Sequence, residues 1–273
     1  MKKIILVSIA ILTQIIPARA VEPEEIMKKS SLASHYAGKD RKSRMALLVY
    51  HKSVPKPSKK IFTLLRKDIN DGGKQKYLLY FTYPREIKKA SFLVHKYIVE
   101  DDYRRLFLPA SNTVLMISGH QKQCAFMGSD FSSEDITGRH HQKDRHQLLG
   151  NETITISTQK GEKKYDTYLV ESIPKIREDK TSKTRSWIDQ KTYLPVKIEF
   201  YNHENQLYKF YEVLQIRSID GYPTVVKHRM TSPLEDTHTI LILDLKNTRY
   251  NLGVNEDIFV EASLYKPPEI VLN

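Results

Sequence analysis

The stretch KIFTLLRKDINDGGKQKYLLYFTY, residues 60–83, decides the fold class. It contains two apolar segments, Lys60–Asp68 and Lys76–Tyr83, on either side of the turn signal NDGG at residues 70–73. Asn, Asp and Gly tolerate the backbone angles of tight turns, and apolar segments of this length beside such a turn are typical of paired strands. The stretch therefore predicts an antiparallel hairpin.

Strand signals of the same kind continue on both sides of this hairpin, with short turns between them. No strand–helix–strand alternation occurs, so the pattern predicts one large antiparallel meander, which at this size must curl or split. The further predicted strands are Ser43–Lys52, Ser91–Val99, Tyr103–Leu108, Thr113–Ser118, Thr153–Thr158, Asp166–Ile173, Thr184–Asp189, Pro195–Tyr201, Leu207–Ser218, Pro223–Ser232 and Thr237–Lys246.

Several of these strands have one apolar face. In PVKIEFY, residues 195–201, Val196, Ile198 and Phe200 alternate with charged residues. A curled sheet with an apolar concave face needs a cover, because exposed apolar surface is unfavourable in water. Two segments are candidates: Val21–Ala37, which has the pattern of a helix, and Asp130–Leu149, which carries no strand signal.

The N-terminus has the pattern of a secretory signal peptide. A basic start precedes the apolar run Ile4–Leu12, and an A-R-A cleavage signal ends at Ala20. We expect cleavage there, leaving residues 21–273 as a single domain exported to the periplasm. Because Val21 and not Cys follows the cut, no N-terminal lipid anchor is expected. An uncleaved membrane anchor is the alternative interpretation.

Composition narrows the possible classes of function. Apolar residues make up 40% of the chain and charged residues 28%, as in folded soluble proteins. The single cysteine excludes an intrachain disulfide and a Cys-based zinc site. The net charge is +12, and the basic residues are spread along the chain. This spread favours a solvated surface, with attraction to anionic lipid as the second interpretation and nucleic acid disfavoured by export.

No catalytic motif is present: G-x-S-x-G, H-E-x-x-H, the P-loop and G-x-G-x-x-G are all missing. The acidic residues Asp130, Glu134 and Asp135 could be considered as metal ligands. Ser132, three residues before Asp135, instead favours a helix N-cap with acidic residues in the first turn. We therefore expect no enzyme activity, no metal and no cofactor.

Two further side-chain groups carry expectations about burial. His140, His141 and His146 lie among basic residues that would oppose a cation, so a solvated lid surface is expected. Cys124 is expected to be a small buried hydrophobic residue.

The segment YRRLFLPASNTVLMISGHQKQCAFMGSDFSSEDI, residues 103–136, resembles the outer membrane lipoprotein-sorting family, the relatives of LolA and LolB. That family carries W-L-Y-L-P-A followed by F-M-G-S-D-F-x-x-E-D. Residues 106–110 match the first part, and a further match is WID at 187–189 with YLPVKIE at 193–199. Arg105 and Ser133 replace family aromatics, and NTVLMI at 112–117 lacks the usual basic residues. The second part is matched by Phe126, Met127, Gly128, Ser129, Asp130, Phe131, Glu134 and Asp135.

The resemblance implies an α+β, mainly antiparallel fold: a curled, incomplete β-barrel under a helical lid. It also implies a non-enzymatic carrier of lipid or lipoprotein acyl chains that touches both membranes transiently, alongside an RND-type inner-membrane transporter. Phe126–Phe131 is interpreted as the turn that seats the lid. A periplasmic adaptor or scaffold is the alternative. The candidate cavity wall comprises Leu79, Phe81, Phe92, Val94, Leu106, Leu108, Val196, Ile198, Phe200, Leu241 and Leu243, with Trp187 at the rim.

Overall fold

The computed structural model describes residues 21–158, 161–177 and 180–272. The predicted signal peptide, residues 1–20, lies outside the described residues. Within them the strands are β1 Asp40–His51, β2 Ser58–Asp68, β3 Gln75–Tyr83, β4 Ser91–Lys96, β5 Tyr103–Leu108, β6 Thr113–Met116, β7 Asp144–Thr158, β8 Gly161–Pro174, β9 Lys183–Asp189, β10 Pro195–Tyr201, β11 Leu207–Ile219, β12 Tyr222–Ser232 and β13 Thr237–Tyr250. The α-helices are α1 Pro23–His35, α2 Ser133–Thr137, α3 Ala262–Tyr265 and α4 Glu269–Leu272.

All thirteen strands form one antiparallel sheet in the order β6-β5-β4-β3-β2-β1-β13-β12-β11-β10-β9-β8-β7. The pairing of β1 with β13 joins two meanders. The sheet does not close, because β6 and β7 are its two edges. These edge strands are consecutive in the sequence, so residues 117–143, here called the crossing segment, run from one edge to the other. The predicted mainly antiparallel, incomplete barrel is confirmed.

The predicted strands are present, and β5 and β10 have the predicted bounds. The predicted helix at Val21–Ala37 is also present as α1. One prediction is wrong: Asp130–Leu149 contains strand residues, because β7 begins at Asp144. The start of this edge strand alternates between half-buried and exposed positions and is rich in polar residues. It therefore lacks the apolar pattern by which the other strands are detected.

The sheet is covered on two sides near β1–β4. On the inner face, defined as the side toward α1 and the crossing segment, Leu64 and Leu79 are buried. On the outer face, Leu65 and Leu78 are buried beneath the C-terminal residues 251–272. Adjacent residues of one strand point to opposite faces, so burial on both faces makes these strands almost continuously apolar.

The end of α1 is held against the sheet by a buried cation. The guanidinium of Arg66, on β2, donates hydrogen bonds to the backbone carbonyls of His35, Ala37 and Gly38. The last carbonyls of a helix have no intrahelical partner and carry partial negative charge. Arg66 satisfies the carbonyl of His35 at the helix end and two carbonyls just beyond it, and thereby holds this end of α1 to β2.

Candidate functional site

A cavity of about 280 Å³ lies between α1, the crossing segment and the inner face of the sheet. Strands from both meanders contribute to its walls. A partly enclosed space with more apolar than polar lining can shield a hydrocarbon chain from water. Its apolar lining residues include Met45, Phe131, Ile136, Ile198, Phe200, Met230, Leu241 and Leu243.

The FMGSDF motif forms a tight turn at the cavity's edge. The backbone N–H of Phe126 donates to the carbonyl of Phe131 at 2.7 Å. Met127 and Gly128 both have positive φ angles, 53° and 68°, which reverse the chain in two residues. The ring of Phe126 packs against Phe81 and Phe92, with centroids 6.0 and 5.2 Å apart. The turn therefore places an aromatic anchor into the inner face of the sheet.

Asp130 fastens the same turn to β13. Its carboxylate accepts hydrogen bonds from the hydroxyls of Thr237 and Thr239, the latter at 2.6 Å. Its backbone N–H donates to Thr239 Oγ1 at 3.0 Å. The N-cap of α2 is Ser132, whose hydroxyl accepts from the N–H of Asp135 at 3.1 Å. The acidic residues of the motif therefore build the turn and the start of α2.

Two sets of ion pairs connect α2 and its flank to the sheet. Asp135 Oδ2 lies 2.6 Å from Lys209 Nζ, a largely buried side chain on β11. Burial alone would lower the pKa of Lys209, but the carboxylate of Asp135 raises it above its ordinary value. Arg139 bridges Glu134 and Asp144, at 3.2 and 3.0 Å.

The other end of α2 is held by Lys96 at the end of β4. Its Nζ donates to the carbonyl of Thr137 at 3.0 Å and also to that of Gly138. Burial lowers the pKa of this lysine to about 8, and Asp102 opposes the shift. A Cβ on Gly138 would lie 2.7 Å from ring atoms of His35, so α1 and the crossing segment approach closely here.

The structure brings four of the twelve predicted wall residues to the cavity: Ile198, Phe200, Leu241 and Leu243. Five others belong to packed inner core beneath the crossing segment, where the ring of Phe126 occupies the adjoining space. Leu108 is half-buried near the β6 edge. Of these five, the buried members are Leu79, Phe81, Phe92 and Val94, and Leu106 is partly buried against them.

Trp187 and Val196 lie in a neighbouring cluster rather than at the cavity, and Trp187 is not at its rim. Both are buried with Tyr165, and the indole N–H of Trp187 donates to Glu152 at 2.7 Å. The register of β10 against β9 shifts between Pro195 and Lys197. Simple alternation along PVKIEFY therefore does not extend through Val196.

Two burial expectations are wrong. His140 is buried and its Nε2 lies 3.2 Å from the carbonyl of Gly72, because the crossing segment folds it inward. Its ring stacks on that of His141. Cys124 is exposed, since it follows a short 3-10 helix, Gly119–Gln123, on the surface.

Sequence reasoning missed the polar lining of the cavity, which includes Arg41, His35, Tyr211 and His228. Burial, assisted by the nearby charge of Arg41, lowers the pKa of His35 and of His228 to about 3. Both imidazoles are therefore neutral at neutral pH. In the sequence, Arg41, Tyr211 and His228 are only polar residues within strand patterns, and such a pattern does not show on which face of the sheet a side chain lies.

Over the described ranges, no three His, Cys, Asp or Glu side chains are arranged to hold a metal ion. Among the helices in the described ranges 21–158, 161–177 and 180–272, none is long and apolar enough to span a membrane.

A family model described as that of an uncharacterized protein matches residues 73–266. A search of curated proteins returned no match. The chain is similar to a DUF1329 family protein from Desulfovibrio piger, with 25% identity and a TM-score of 0.77 over 89% of this chain and all of that one. It is equally similar to a domain from Vibrio parahaemolyticus that is described as an outer membrane lipoprotein-sorting protein domain. The identity is 26% and the TM-score 0.77, over 89% of this chain and 98% of that one. A LolA superfamily protein from Nitrosomonas europaea shares the fold at 18% identity, with a TM-score of 0.68 and coverage of 89% and 99%.

Proposed function

Because the chain belongs to the uncharacterized family whose model spans residues 73–266 and is LolA-like, we propose that it is a periplasmic carrier for the acyl chains of a lipid or lipoprotein. The observation that carries this proposal is the cavity of about 280 Å³ enclosed between α1, the crossing segment and the sheet. The protein binds hydrocarbon there without bond chemistry, and it is not an enzyme.

The energetics favour such a role. Each CH₂ group moved out of water contributes about 0.8 kcal/mol, so a chain of about 16 carbons costs about 13 kcal/mol to hold in solution. An apolar cavity offsets most of that cost. Ile198 and Phe200 on β10 and Leu241 and Leu243 on β13 supply apolar wall, and these four residues are the acyl contacts in this proposal.

The crossing segment acts as the lid. A volume near the lower end of the range for ligand sites suits one chain better than several. Longer or multiple chains require the Phe126 ring to leave the inner face. The inner-core side chains Leu79, Phe81, Phe92, Val94 and Leu106 would then be uncovered, which gives these predicted wall residues a role in an open form.

The route of the cargo follows from the same proposal. Export by the predicted signal peptide, with cleavage after Ala20, places the carrier between the two membranes. It receives its cargo beside an RND-type inner-membrane transporter, touches both membranes transiently and returns unloaded.

Native mass spectrometry of the mature chain, purified from periplasm, tests the proposal. We expect a bound species of lipid mass, which organic extraction then identifies. Phe200→Asp puts a charge into the cavity wall and should abolish the bound species. Leu245→Asp is the matched control, since Leu245 is exposed and should leave lipid binding intact.

A chain that is free of lipid, and stays so after incubation with membranes or an acylated peptide, would contradict the carrier. Circular dichroism of each variant separates loss of binding from loss of fold. A lipid-free protein with native structure would favour the adaptor or scaffold, for which the inner face serves only for packing.

A further inference from the structure

Arg41 is a cation of the cavity wall that pairs with no carboxylate in the described part of the chain. Its side chain lines the cavity from the start of β1. Its Nε is buried and has no hydrogen-bonding partner among the described residues. Within the same ranges, 21–158, 161–177 and 180–272, its guanidinium forms no ion pair with a carboxylate. Arg41 is half-buried, and leaving its sealed Nε–H without an acceptor is unfavourable, which indicates a partner that the described chain does not supply.

The carboxylates of the same cavity wall are already paired with other cations: Glu134 and Asp144 with Arg139, and Asp135 with Lys209. The charge of Arg41 contributes to the lowered pKa values of His35, Arg66 and His228. These neighbours are two neutral imidazoles and a second guanidinium, which is already bound to backbone carbonyls. None of these three neighbours offsets the charge of Arg41.

A second donor faces the same space. Nδ1 of His228 lies 3.2 Å from the hydroxyl of Tyr211, while its Nε2 is buried without a partner in the described chain. If the Tyr211 hydroxyl donates to Nδ1, the proton of the neutral ring is on Nε2. His228 then presents an N–H to the cavity, as oxyanion sites do.

Apolar residues lie next to these donors. Leu241 pairs with His228 across β12 and β13, and Met45 lies on the same strand as Arg41. Met45, Leu241 and Leu243 all line the cavity. One compact space thus combines an unpaired guanidinium with a hydrocarbon surface.

We infer that this cavity selects an acidic amphiphile: an anionic carboxylate or phosphate head group binds Arg41, with His228 Nε2 as a second donor, while a single acyl chain lies against Met45, Leu241 and Leu243. A guanidinium presents two parallel N–H groups that match either oxyanion. This inference rests on the proposed function and adds to it the charge of the head group.

Competition in native mass spectrometry tests it with probes that share one 16-carbon chain. The mature protein is mixed at neutral pH with equal concentrations of palmitate and methyl palmitate, and in a second arm with hexadecyl phosphate and methyl palmitate. We expect a preference for the anionic lipid of about 10- to 100-fold, the value of a charge-assisted hydrogen-bonded contact. The arm with the larger preference over methyl palmitate tells whether a fatty acid or a phospholipid product is the source of the head group.

Arg41→Met should bring the ratio of bound anionic to bound neutral lipid close to one. Arg41→Lys should give an intermediate ratio, because lysine keeps the charge but lacks the two parallel N–H donors of the guanidinium. Arg44→Met is the matched control on the same strand, since Arg44 is exposed. Arg41→Met should also keep or raise the melting temperature, because it removes an unpaired charge.

The outcomes separate the two proposals. If the acid and the ester bind equally and Arg41→Met changes nothing, the inference is overturned while the carrier stands. If neither lipid binds, both fail. A melting temperature lowered by several degrees in Arg41→Met would make Arg41 a structural residue and also overturn the inference.

Discussion

The ion pair between Asp135 and Lys209 should hold the crossing segment onto the sheet. The two groups are 2.6 Å apart, and their side chains are only 13% and 10% exposed. Removing one member of a buried pair leaves the other charge without compensation, at a cost of up to about 3–5 kcal/mol. Here Asp135 keeps two hydrogen bonds from Ser132. We therefore expect Lys209→Met to lower the free energy of unfolding by about 3 kcal/mol.

A double-mutant cycle isolates the interaction. Lys209→Met, Asp135→Asn and the double variant are unfolded in urea and followed by circular dichroism. We expect a coupling energy of about 2 kcal/mol, because the partners share a hydrogen bond as well as charge. The matched control is Lys52 with Asp236, a pair at 3.6 Å whose side chains are 78% and 68% exposed. Its coupling should be below about 1 kcal/mol.

A coupling energy for Asp135 and Lys209 no larger than that of the exposed pair would refute this reasoning. It would mean that the other contacts of the crossing segment, among them those of Phe126, Asp130 and Lys96, hold it to the sheet. The same coupling energy bears on the proposed lid, because the ion pair between Asp135 and Lys209 is one of the contacts that opposes opening of the crossing segment.

Three further outcomes are expected. The pKa of about 3 for His35 and for His228 means that the unfolded chain binds more protons below pH 6.5. Stability should then fall by about 1.4 kcal/mol per pH unit for each of these two histidines as pH drops from 6.5 toward 3, and His228→Asn should reduce the total slope by about that amount in urea titrations at successive pH values. Gly138→Ala should lower the free energy of unfolding by about 2 kcal/mol, because φ is +81° at this position and the added Cβ would clash with His35. Gly221→Ala is the control, since φ is also positive there but no atom lies near the added Cβ, and its free energy of unfolding should fall less. Equal decreases in the two variants would exclude the clash. Cys124 should react with a maleimide in the native protein within minutes, and labelling only after denaturation would contradict its exposed position.

The strands could be predicted because their signal is local. A hairpin such as residues 60–83 needs only apolar segments and a turn, and both are visible within 24 residues. Polar stretches of edge strands escape this reasoning, as the start of β7 before Thr153 did, because half of their surface meets solvent. Breaks in register escape it too, as at Val196, because a bulge leaves no mark in composition.

The candidate site could be predicted only in part. Ile198, Phe200, Leu241 and Leu243 were identified from alternation and do line the cavity. Phe81 and Phe92 were candidates for the same wall but are covered by Phe126, a residue more than thirty positions away in the chain. Whether an apolar inward position is core or cavity depends on what packs against it, which periodicity does not encode.

The sequence by itself determined a mostly antiparallel sheet, a helix at the start of the described chain and the turn chemistry of FMGSDF, since these depend on neighbouring residues. Only the tertiary structure decided where the cavity lies, which side of the sheet each helix covers and that Arg41 and His228 face one enclosed space. Those features arise because strands distant in sequence become neighbours when β1 pairs with β13. The burial and charge environment of a side chain are therefore properties of the assembled sheet.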